Sequence, residues 1–271
     1  MIVHQIYFDF GKNTASRDLG EASRVFEVVR SRLSSDSKYT RWELDASIAL
    51  VRKHYPCFLP IFELDTEFQV MKCDFFRYLL MYHFGGIYFD LDFVPTKPME
   101  SIFEDTRDRR IFHFPVREGV PNVIFSEEWL NSMSFTDTLH NGILFSRKER
   151  HPIWMELMMS IYDTLCVRGL RPVSQKDVYR FTGPNLLCST VRSALRTYTD
   201  VVVLPYFYCC PYIAVCKNTR ERIVCNGVGD VPPLETHDWV FFSSDVAAQL
   251  GLACPSSYFV CVHLNHGSLW K

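Results

Sequence analysis

Residues 70–92 constrain the fold of this chain more than any other stretch of its sequence. Their first half has the apolar spacing of an α-helix, and the two glycines Gly85 and Gly86 follow at once. Gly85 suits the left-handed position that ends a helix, and Gly86 allows a tight entry into a strand. The short apolar run that comes next ends in Asp90 and Asp92. The segment therefore predicts a helix that leads directly into a buried strand.

Asp90 and Asp92 are predicted to share one small volume at the end of this strand. Alternate residues of a strand point to the same face, so the two carboxylates would converge while Leu91 turns back into the core. Two ionised carboxylates packed together repel each other unless a cation lies between them. Oxygen ligands of this kind favour Mg²⁺ or Mn²⁺, often together with substrate phosphates. An Asp-x-Asp tripeptide also arises by chance in a chain rich in Asp, so the tripeptide alone is a weak signal.

Strands and helices alternate along the sequence, which predicts an α/β fold with a mostly parallel sheet and helices on both faces. The predicted strands are 2–8, 39–44, 87–90, 111–115, 201–204 and 259–263, and 58–64 is expected to be short and extended. The predicted helices are 16–33, 45–54, 70–84, 153–167 and 185–198. Ligands of such sheets bind at the carboxyl ends of the strands, where Tyr7 and the two aspartates fall. Residues 101–140, which include Trp129, carry little pattern and are expected to form an insert.

Residues 73–92 resemble the signature of a known family. The chain reads CDFFRY at 73–78 and GGIYFDLD at 85–92. This is similar to the Ser/Ala-Asp-x-x-Arg-Tyr and Gly-Gly-x-Tyr-x-Asp-x-Asp motifs of the DXD-containing sugar-transfer family, and only Cys73 departs from them. That family includes yeast α-1,6-mannosyltransferase, mannosyl-inositolphosphoceramide synthases and the catalytic domains of clostridial glucosylating toxins.

Further segments resemble the family in the same order along almost the whole chain. They are IVHQIYF at 2–8, HYPCFLP at 54–60, NGI at 141–143 with HP at 151–152, TGP at 182–184 and HLNHGSLW at 263–270. Tyr7 stands where the family usually has Trp, and Leu269 is inserted between Ser268 and Trp270. The resemblance implies a single domain over 1–271 with a GT-A-type, Rossmann-like fold, in which 101–140 would be a small acceptor-side insert.

The resemblance implies transfer of a hexose from a nucleotide sugar, a UDP-hexose or GDP-mannose, to a hydroxyl of a glycan, lipid or protein. A Mn²⁺ or Mg²⁺ ion would stabilise the departing diphosphate as a Lewis acid. Asp92 is the first candidate metal ligand, and Asp90 would bridge the ribose, the sugar or a metal-bound water. The resemblance adds Asn265 and Ser268 as metal or diphosphate contacts, and Trp270 as a residue that packs on the diphosphate.

Other residues are expected to recognise the donor. Tyr7 offers a flat face for stacking a nucleobase, although a Tyr in a first strand is more often plain core. Asp74 and Arg77 share one helix face, where they form either a structural ion pair or, as the resemblance implies, a pair that holds sugar and ribose hydroxyls. Asn141 would contact the transferred sugar or the acceptor. His263 is either a further metal ligand or a core histidine at a strand end.

Members of the family retain the anomeric configuration, and no carboxylate of this sequence is recognisable as a covalent nucleophile. Front-face transfer is therefore expected, in which an oxygen of the departing diphosphate helps to deprotonate the acceptor. Three alternatives stay open: a nucleotide-sugar hydrolase, a non-catalytic domain that binds nucleotide sugars or glycans, and a nucleotidyltransferase. The segment at 54–60 favours GDP-mannose, whereas the Ser-x-Trp ending favours UDP-sugars.

Charge and cysteine usage exclude other classes. The 271-residue chain has a formal net charge of −2 and no basic stripe, which argues against nucleic acid as a partner. The ten cysteines form no Cys-x-x-Cys pair, and Cys73, Cys188 and Cys261 lie in apolar segments where buried thiols are ordinary. A zinc site from the cysteines at 209, 210, 216 and 225 is disfavoured because their spacing is wrong.

No leader or membrane span is recognisable in the sequence. The chain begins directly with the first predicted strand, and its longest charge-free stretch, 201–216, is too short to span a bilayer and contains two prolines. This indicates either a shortened chain or a free-standing enzyme. The start at Met1 favours the second, so we expect a cytoplasmic enzyme of viral or bacterial type with reduced thiols and no transmembrane segment.

Overall fold

The computed structural model describes residues 1–8, 10, 30–31, 33–91, 93–95, 102–105, 122–126, 139–204 and 261–263. Six strands form its central sheet: β1 (Ile2–Ile6), β2 (Lys38–Trp42), β3 (Gly86–Phe89), β5 (Val123–Ser126), β6 (Ile143–Ser146) and β7 (Val201–Leu204). A separate antiparallel pair comprises β4 (Phe93–Pro95) and β8 (Cys261–His263). The order in the central sheet is β2-β1-β3-β6-β5-β7. Within that sheet β6 alone runs against the other strands, so the predicted mostly parallel α/β fold is confirmed.

Helices cover both faces of the sheet. The described helices are α1 (Leu44–His54), α2 (Leu59–Glu63), α3 (Val70–Phe84), α4 (Ile102–Asp105), α5 (Pro152–Tyr162), α6 (Gln175–Phe181) and α7 (Pro184–Thr197). On one face, Tyr88 and Leu144 belong to an apolar cluster that includes residues of α3 and α5. On the other face, Phe103 of α4 meets Phe145 of β6 with ring centroids 6.2 Å apart. All residues of β3 and β6 are buried as a result.

Helix α3 is buried on all sides, as a helix without a polar stripe must be. Every residue from Met71 to Met81 is buried, and Tyr78 stacks on Trp154 of α5 with centroids 6.4 Å apart. The helix has the bounds that the sequence predicts. Gly85 ends it with a φ of +61° but a ψ of −150°, so the expected αL geometry is not adopted.

Gly86 allows β3 to begin directly beside β1. Its φ is +88°, and a Cβ atom at this position would lie 2.1 Å from the Ile2 carbonyl oxygen. Only glycine fits so close to the neighbouring backbone, which agrees with the tight strand entry predicted from the sequence.

Most of the predicted elements that fall within the described ranges are confirmed, with small shifts in their bounds. The extended segment predicted for 58–64 is wrong, because a 3₁₀ turn at Pro56–Phe58 and helix α2 occupy it. Pro56 and Pro60 both lie in first-turn positions, where proline lacks only an N–H that has no helical partner. The proline that was expected to stop α1 therefore also starts the next helical turn.

Strands β4, β5 and β6 and helices α4 and α6 were not predicted. β5 lies within 101–140 yet belongs to the central sheet, between β6 and β7. Most of the helix predicted for 16–33, the strand predicted for 111–115, Trp129 and the cysteines at 209–225 lie outside the described residues. The extent of the domain and the role of 101–140 as an insert stay predictions.

The structure also bears on two other expectations, which concern membrane-spanning helices and buried cysteines. Each helix in the described ranges is too short or too polar to traverse a bilayer. Cys73 and Cys188 are buried, as expected, and burial raises the pKa of the Cys73 thiol well above its usual value.

Candidate functional site

The candidate site lies where α3 passes the carboxyl end of β3. Asp74 and Arg77 lie on one face of α3, as their spacing predicts. Asp90 is the first residue after β3, and its N–H donates to the Gly142 carbonyl oxygen at 2.8 Å. Because Gly85 alone separates α3 from β3, the helix runs back along the strand and brings Asp74 and Arg77 beside Asp90.

The Arg77 guanidinium joins the groups of the site. Its Nη2 lies 3.1 Å from Asp74 Oδ1, and its Nη1 lies 3.2 Å from Asp90 Oδ1. Nη1 also donates to the Asn141 carbonyl oxygen at 2.8 Å, and the guanidinium carbon lies 5.0 Å from the centroid of the Tyr88 ring. Burial alone would lower the pKa of Arg77, but Asp90, Tyr88 and Asp74 raise it well above its usual range. The guanidinium therefore stays charged.

Asp74 is held by donors from two distant segments. Its Oδ2 accepts from Thr182 Oγ1 at 2.7 Å, and its Oδ1 accepts from Asn141 Nδ2 at 3.0 Å. Burial raises the pKa of Asp74 above its usual value, while Arg77, Thr182 and Asn141 oppose the rise. The expected Asp74–Arg77 ion pair is therefore present, and it is also bonded to the segments around residues 141 and 182.

Asp90 is the acid of this group that solvent reaches, because 16% of its side chain is exposed against 5% for Asp74. The Tyr88 hydroxyl donates to Asp90 Oδ1. Burial raises the pKa of Tyr88 well above its usual value, so the phenol keeps the proton that it donates. The Asp90 carbonyl oxygen accepts from Gln5 Nε2 at 3.3 Å, and Gln5 Oε1 accepts from the Tyr39 hydroxyl at 2.8 Å. Residues of three strands thus fix both the backbone and the carboxylate of Asp90.

The charges of this group favour a cation nearby. Asp74 and Asp90 are both paired with the guanidinium of Arg77, which leaves an excess of negative charge among these three side chains. A divalent cation is attracted to such a place. In the part of the chain that the structure describes, no three His, Cys, Asp or Glu side chains form a cluster that could hold a metal.

Tyr7 follows β1 directly and is half-buried. Its N–H donates to the Trp42 carbonyl oxygen at 2.8 Å, so its backbone continues the pairing with β2. The Arg41 guanidinium carbon lies 5.7 Å from the centroid of its ring. A half-buried ring at the carboxyl end of a strand is compatible with nucleobase stacking, which stays a prediction.

The other residues predicted for the site are Asp92, Asn265, Ser268 and Trp270, and these lie outside the described residues. The backbone of His263 lies in β8, opposite Phe93 of β4. Since Phe93 directly follows Asp92 in sequence, this pairing brings a C-terminal strand beside the Asp-x-Asp segment. Metal binding by Asp92, Asn265, Ser268 and His263 therefore stays a prediction.

Leu91 does not turn back into the core, contrary to the expectation. β3 ends at Phe89, and Leu91 lies in a turn where it is half-buried. Because regular pairing with β6 stops at Phe89, the alternation of faces does not extend across this turn. The predicted convergence of Asp90 and Asp92 therefore does not follow from strand alternation, and it stays a prediction because Asp92 lies outside the described residues.

Three residues of the site were not singled out from the sequence, namely Gln5, Tyr88 and Thr182. Tyr88 precedes Asp90 by two positions, and this spacing is the signal that could have identified it. Gln5 and Thr182 lie in segments that were interpreted as a strand and a turn. Which polar atoms they approach depends on long-range packing.

Residues 22–108 match the sequence model of a family described as "Glycosyltransferase sugar-binding region containing DXD motif". The matched range contains Asp74, Arg77, Tyr88 and Asp90. The resemblance to the DXD-containing sugar-transfer family is therefore confirmed for this part of the chain.

Similar proteins are named as glycosyltransferases. "Inositol phosphoceramide mannosyltransferase 1" of Schizosaccharomyces pombe is 27% identical over 114 residues, which cover 42% of this chain and 33% of that protein. "Initiation-specific alpha-1,6-mannosyltransferase" of Candida albicans is 28% identical over 136 residues, which cover 45% of this chain and 34% of that protein. The chain thus spans about a third of the length of these curated relatives. Among solved structures, the "PaToxG Glycosyltransferase" is similar with a TM-score of 0.47 and 14% identity, over 72% of this chain and 68% of that one.

Proposed function

We propose that this protein is a metal-dependent, retaining glycosyltransferase that moves a hexose from a nucleotide sugar to a hydroxyl of a glycan, lipid or protein. The observation that carries the proposal is the buried Asp74–Arg77–Asp90 group inside the matched range 22–108. Two carboxylates and a guanidinium in the interior cost free energy of desolvation that apolar residues of the same volume would avoid. A ligand site accounts for such a group better than stability does.

The sugar and ribose of the donor would meet the polar groups around Arg77. Hydroxyl groups both donate and accept, so carboxylates and a guanidinium suit vicinal hydroxyls. Asp90 is the partly exposed acid and would accept from the sugar, while Asn141 is half-buried beside it. Tyr7 would stack on the nucleobase, which is uracil or guanine in the two donor classes considered, UDP-hexose and GDP-mannose.

The cation would be held by residues outside the described ranges. Asp92, Asn265 and Ser268 offer carboxylate, amide and hydroxyl oxygens, and such hard donors suit Mn²⁺ or Mg²⁺. His263 is a further candidate, and Trp270 would pack on the diphosphate. The pairing of β4 with β8 supports this set, because it brings residue 263 beside residue 93. When bound, the cation would supply Lewis-acid stabilisation of the diphosphate.

Asp90 is less suited to be a direct metal ligand. Its Oδ1 lies 3.2 Å from Arg77 Nη1 and accepts from the Tyr88 hydroxyl, and its Oδ2 lies 3.3 Å from Arg77 Nη1. These donors compete with a cation for the same lone pairs. Its role would be to orient the sugar or a metal-bound water.

Retention would follow from transfer on the front face of the sugar. Asp74 and Asp90 are both bonded to Arg77, so neither is placed as an unencumbered nucleophile. The bond between the anomeric carbon and the diphosphate oxygen breaks, and the acceptor oxygen bonds to that carbon from the same side. The acceptor proton passes to an oxygen of the departing diphosphate.

The proposal also includes the domain organisation and the cellular location of the protein. The chain would form one GT-A-type domain over 1–271, in which 101–140 contributes to the acceptor side. A cytoplasmic location stays a prediction, and fractionation of cells that express the native protein would test it. Limited proteolysis of the purified chain would test the single domain, since a linker would be cut before either part unfolds.

A thermal-shift panel tests the proposed function. Wild type, Asp92→Ala and the control Asp163→Ala are each melted with UDP, GDP, UDP-glucose and GDP-mannose, with Mn²⁺ or with EDTA. Asp163 is an exposed acid where the π-helical turn follows α5. We expect the UDP ligands or the GDP ligands, but not both, to raise the Tm, and only when Mn²⁺ is present rather than EDTA. This rise should occur in wild type and in Asp163→Ala but not in Asp92→Ala.

The donor that stabilises the protein is then incubated with Mn²⁺, and the anomer of the released hexose is read by NMR. Release of the anomer present in the donor supports retention, and the opposite anomer contradicts it. If no nucleotide stabilises the wild type, the transferase proposal is wrong, and a non-catalytic domain that binds glycans becomes the better interpretation.

A further inference from the structure

The segment 167–180, which follows the π-helical turn and includes most of α6, exposes several large apolar side chains. Val167 is 66% exposed, Val173 is 85% exposed and Tyr179 is 44% exposed. Five large apolar side chains are exposed among the residues that the structure describes, and three of them belong to this short segment. A single exposed apolar residue is normal on a protein surface, but several in one segment indicate an interaction surface.

The exposure of Val173 does not serve the stability of α6. Ser174 caps the helix by accepting the Asp177 N–H at 3.3 Å, and Asp177 Oδ2 accepts the Val173 N–H at 3.1 Å. An apolar residue just before the cap often packs on the fourth residue of the helix, which here is Val178. Val178 is buried but Val173 is 85% exposed, so most of the Val173 side chain faces solvent. The cap therefore fixes the backbone of Val173 and leaves its side chain available to a partner.

The loop before α6 projects from the π-helical turn and is held there by hydrogen bonds. The Leu170 N–H donates to the Thr164 carbonyl oxygen at 3.0 Å. Arg171 Nη1 donates to the Leu165 carbonyl oxygen at 2.5 Å. A Cβ atom built on Gly169 would meet none of the described atoms within 4 Å. The loop thus has a defined conformation and an open surface.

The 167–180 segment is also strongly basic. Its basic residues are Arg168, Arg171, Lys176 and Arg180, and all four are exposed. Asp177 is the one acid in the segment, although the whole chain has a formal net charge of −2. The positive charge is therefore concentrated where the apolar side chains are exposed.

Helix α6 places part of this charge beside one of the aromatic rings. Lys176, Tyr179 and Arg180 are three or four positions apart, so they share one face of the helix. Val178, which is buried, lies on the opposite face. The solvent face of α6 thus combines two cations with a partly exposed phenol.

Basic and apolar side chains on one exposed segment fit the surface of an anionic bilayer. Lys and Arg are attracted to the anionic headgroups, while apolar side chains enter the boundary between headgroups and acyl chains. A bilayer accepts a protruding side chain such as Val173 without a matching cavity, which an acidic protein would have to provide. Charge complementarity and the protruding loop therefore favour a lipid surface over a protein partner.

Helix α6 also connects this surface to the candidate site. Thr182 follows the helix directly, and its hydroxyl donates to Asp74 Oδ2 at 2.7 Å. The helix has seven residues, so it is about 10 Å long. Val173 and Thr182 therefore lie at the two ends of one short helix, and a bilayer that contacts this helix lies close to the site.

We propose that the 167–180 segment docks this protein on an anionic lipid surface. Val167 and Val173 enter the headgroup boundary, and Arg168, Lys176 and Arg180 pair with the anionic headgroups. Docking presents the candidate site to acceptors held at the membrane. It needs neither nucleotide nor cation, so this inference goes beyond the proposed function and does not depend on it.

Co-sedimentation of the full chain with sucrose-loaded vesicles tests the proposal. The vesicles contain phosphatidylcholine alone or phosphatidylcholine mixed with phosphatidylserine. We expect binding to the mixed vesicles only, and less binding at high salt. The double variant Lys176→Gln, Arg180→Gln should bind about thirtyfold more weakly, at roughly fivefold for each basic residue. Val173→Ser should bind about fivefold more weakly, whereas Val173→Leu should bind at least as well as wild type.

The matched control is the double variant Lys148→Gln, Arg196→Gln, which removes two exposed basic residues outside the segment. It should bind as wild type does. Equal weakening in this control would mean that the total charge attracts the protein, and it would overturn the proposal. Equal binding to both kinds of vesicle, or no binding to either, would overturn it as well.

Light scattering during gel filtration tests the main competing occupant, a second copy of this chain. A concentration-dependent dimer that Val173→Ser abolishes would assign the segment to contacts between copies and overturn the proposal. We expect no such dimer. Since vesicle binding is measured without nucleotide or Mn²⁺, its failure would leave the transferase proposal untouched, and the two failures are distinguishable.

Discussion

Each end of β3 lies beside a cluster of buried polar side chains. The cluster at the carboxyl end is charged, whereas the cluster at the amino end is neutral. At the carboxyl end, the charged Arg77 lies between Asp74 and Asp90. At the amino end, His4 accepts from Trp42 Nε1 at 3.1 Å and donates from Nε2 to the Gly85 carbonyl oxygen at 3.0 Å. Burial lowers the pKa of His4 to about 4, so this imidazole is neutral at physiological pH.

This difference separates a structural cluster from a functional one. The neutral cluster satisfies its polar atoms and ties together β1, β2 and the end of α3 without desolvating a charge. The charged cluster fills the interior no better than the neutral one, but burying its three charged groups carries a larger desolvation penalty. Changes at the amino end should therefore alter stability alone, whereas changes at the carboxyl end should alter both stability and ligand binding.

The largest effect is expected from Arg77→Leu. It leaves Asp74 and Asp90 buried without their cation, which should lower the free energy of unfolding by roughly 3–5 kcal/mol. Urea unfolding followed by circular dichroism measures this loss. The triple variant with Asp74→Asn and Asp90→Asn should recover most of the stability, because no uncompensated carboxylate remains, but it should not recover nucleotide-sugar binding. A loss below about 1 kcal/mol in Arg77→Leu would mean that the carboxylates do not depend on the guanidinium.

The next effect concerns His4 and acid. The unfolded chain binds a proton at His4 below about pH 6.5, but the folded protein does so only below a pKa of about 4. Stability is therefore lost as the pH falls from 6.5 towards 4, by about 3 kcal/mol in all, and is unaffected by this group above pH 6.5. The free energy of unfolding is measured for wild type and His4→Gln at several pH values. The difference between the two proteins gives the contribution of His4, because all other groups titrate in both. A difference that stays constant between pH 7 and pH 4.5 would show that the imidazole is not held neutral.

The charged cluster could be predicted in part because it depends on local spacing. Asp74 and Arg77 share a helix face, and the one-residue connection at Gly85 turns the chain back so that the end of β3 meets them. Neither step needs information from elsewhere in the chain. Sequence reasoning failed within the same region where the strand ends early, so that Leu91 falls in a turn.

The partners of these residues could not be predicted, since they come from distant segments. Thr182 reaches Asp74 across 108 positions, and Asn141 reaches it across 67. The neutral state of His4 likewise depends on complete burial against Trp42, which is 38 positions away. A motif identifies such residues as candidates, but only the packing of the sheet and helices decides which atoms meet.

A smaller effect is expected from Thr182→Val, which keeps the shape of the side chain and removes its hydroxyl. Asp74 Oδ2 loses a donor at 2.7 Å, and a hydrogen bond to a charged group contributes about 2 kcal/mol. Thr182→Ser retains the hydroxyl and serves as the control. Thr182→Val should also weaken nucleotide-hexose binding, because the orientation of Asp74 is less fixed. Equal stability of the two variants would contradict a role for this hydrogen bond.

The smallest effect is expected from Tyr39→Phe, and it tests whether the two ends are independent. His4 and Gln5 are neighbours in β1 and point to opposite faces, so one strand serves both clusters. Removal of the Tyr39 hydroxyl takes a donor from Gln5 Oε1 and should cost about 1 kcal/mol of stability. Because Gln5 also holds the Asp90 carbonyl oxygen, Mn²⁺-dependent nucleotide binding should weaken measurably, while the pH dependence due to His4 should not change. Tyr198→Phe is the control, since that hydroxyl donates to the exposed Glu156 and should leave binding unaltered. If Tyr39→Phe shifts the pH dependence instead, β1 couples the two clusters, and their separation into a structural and a functional end does not hold.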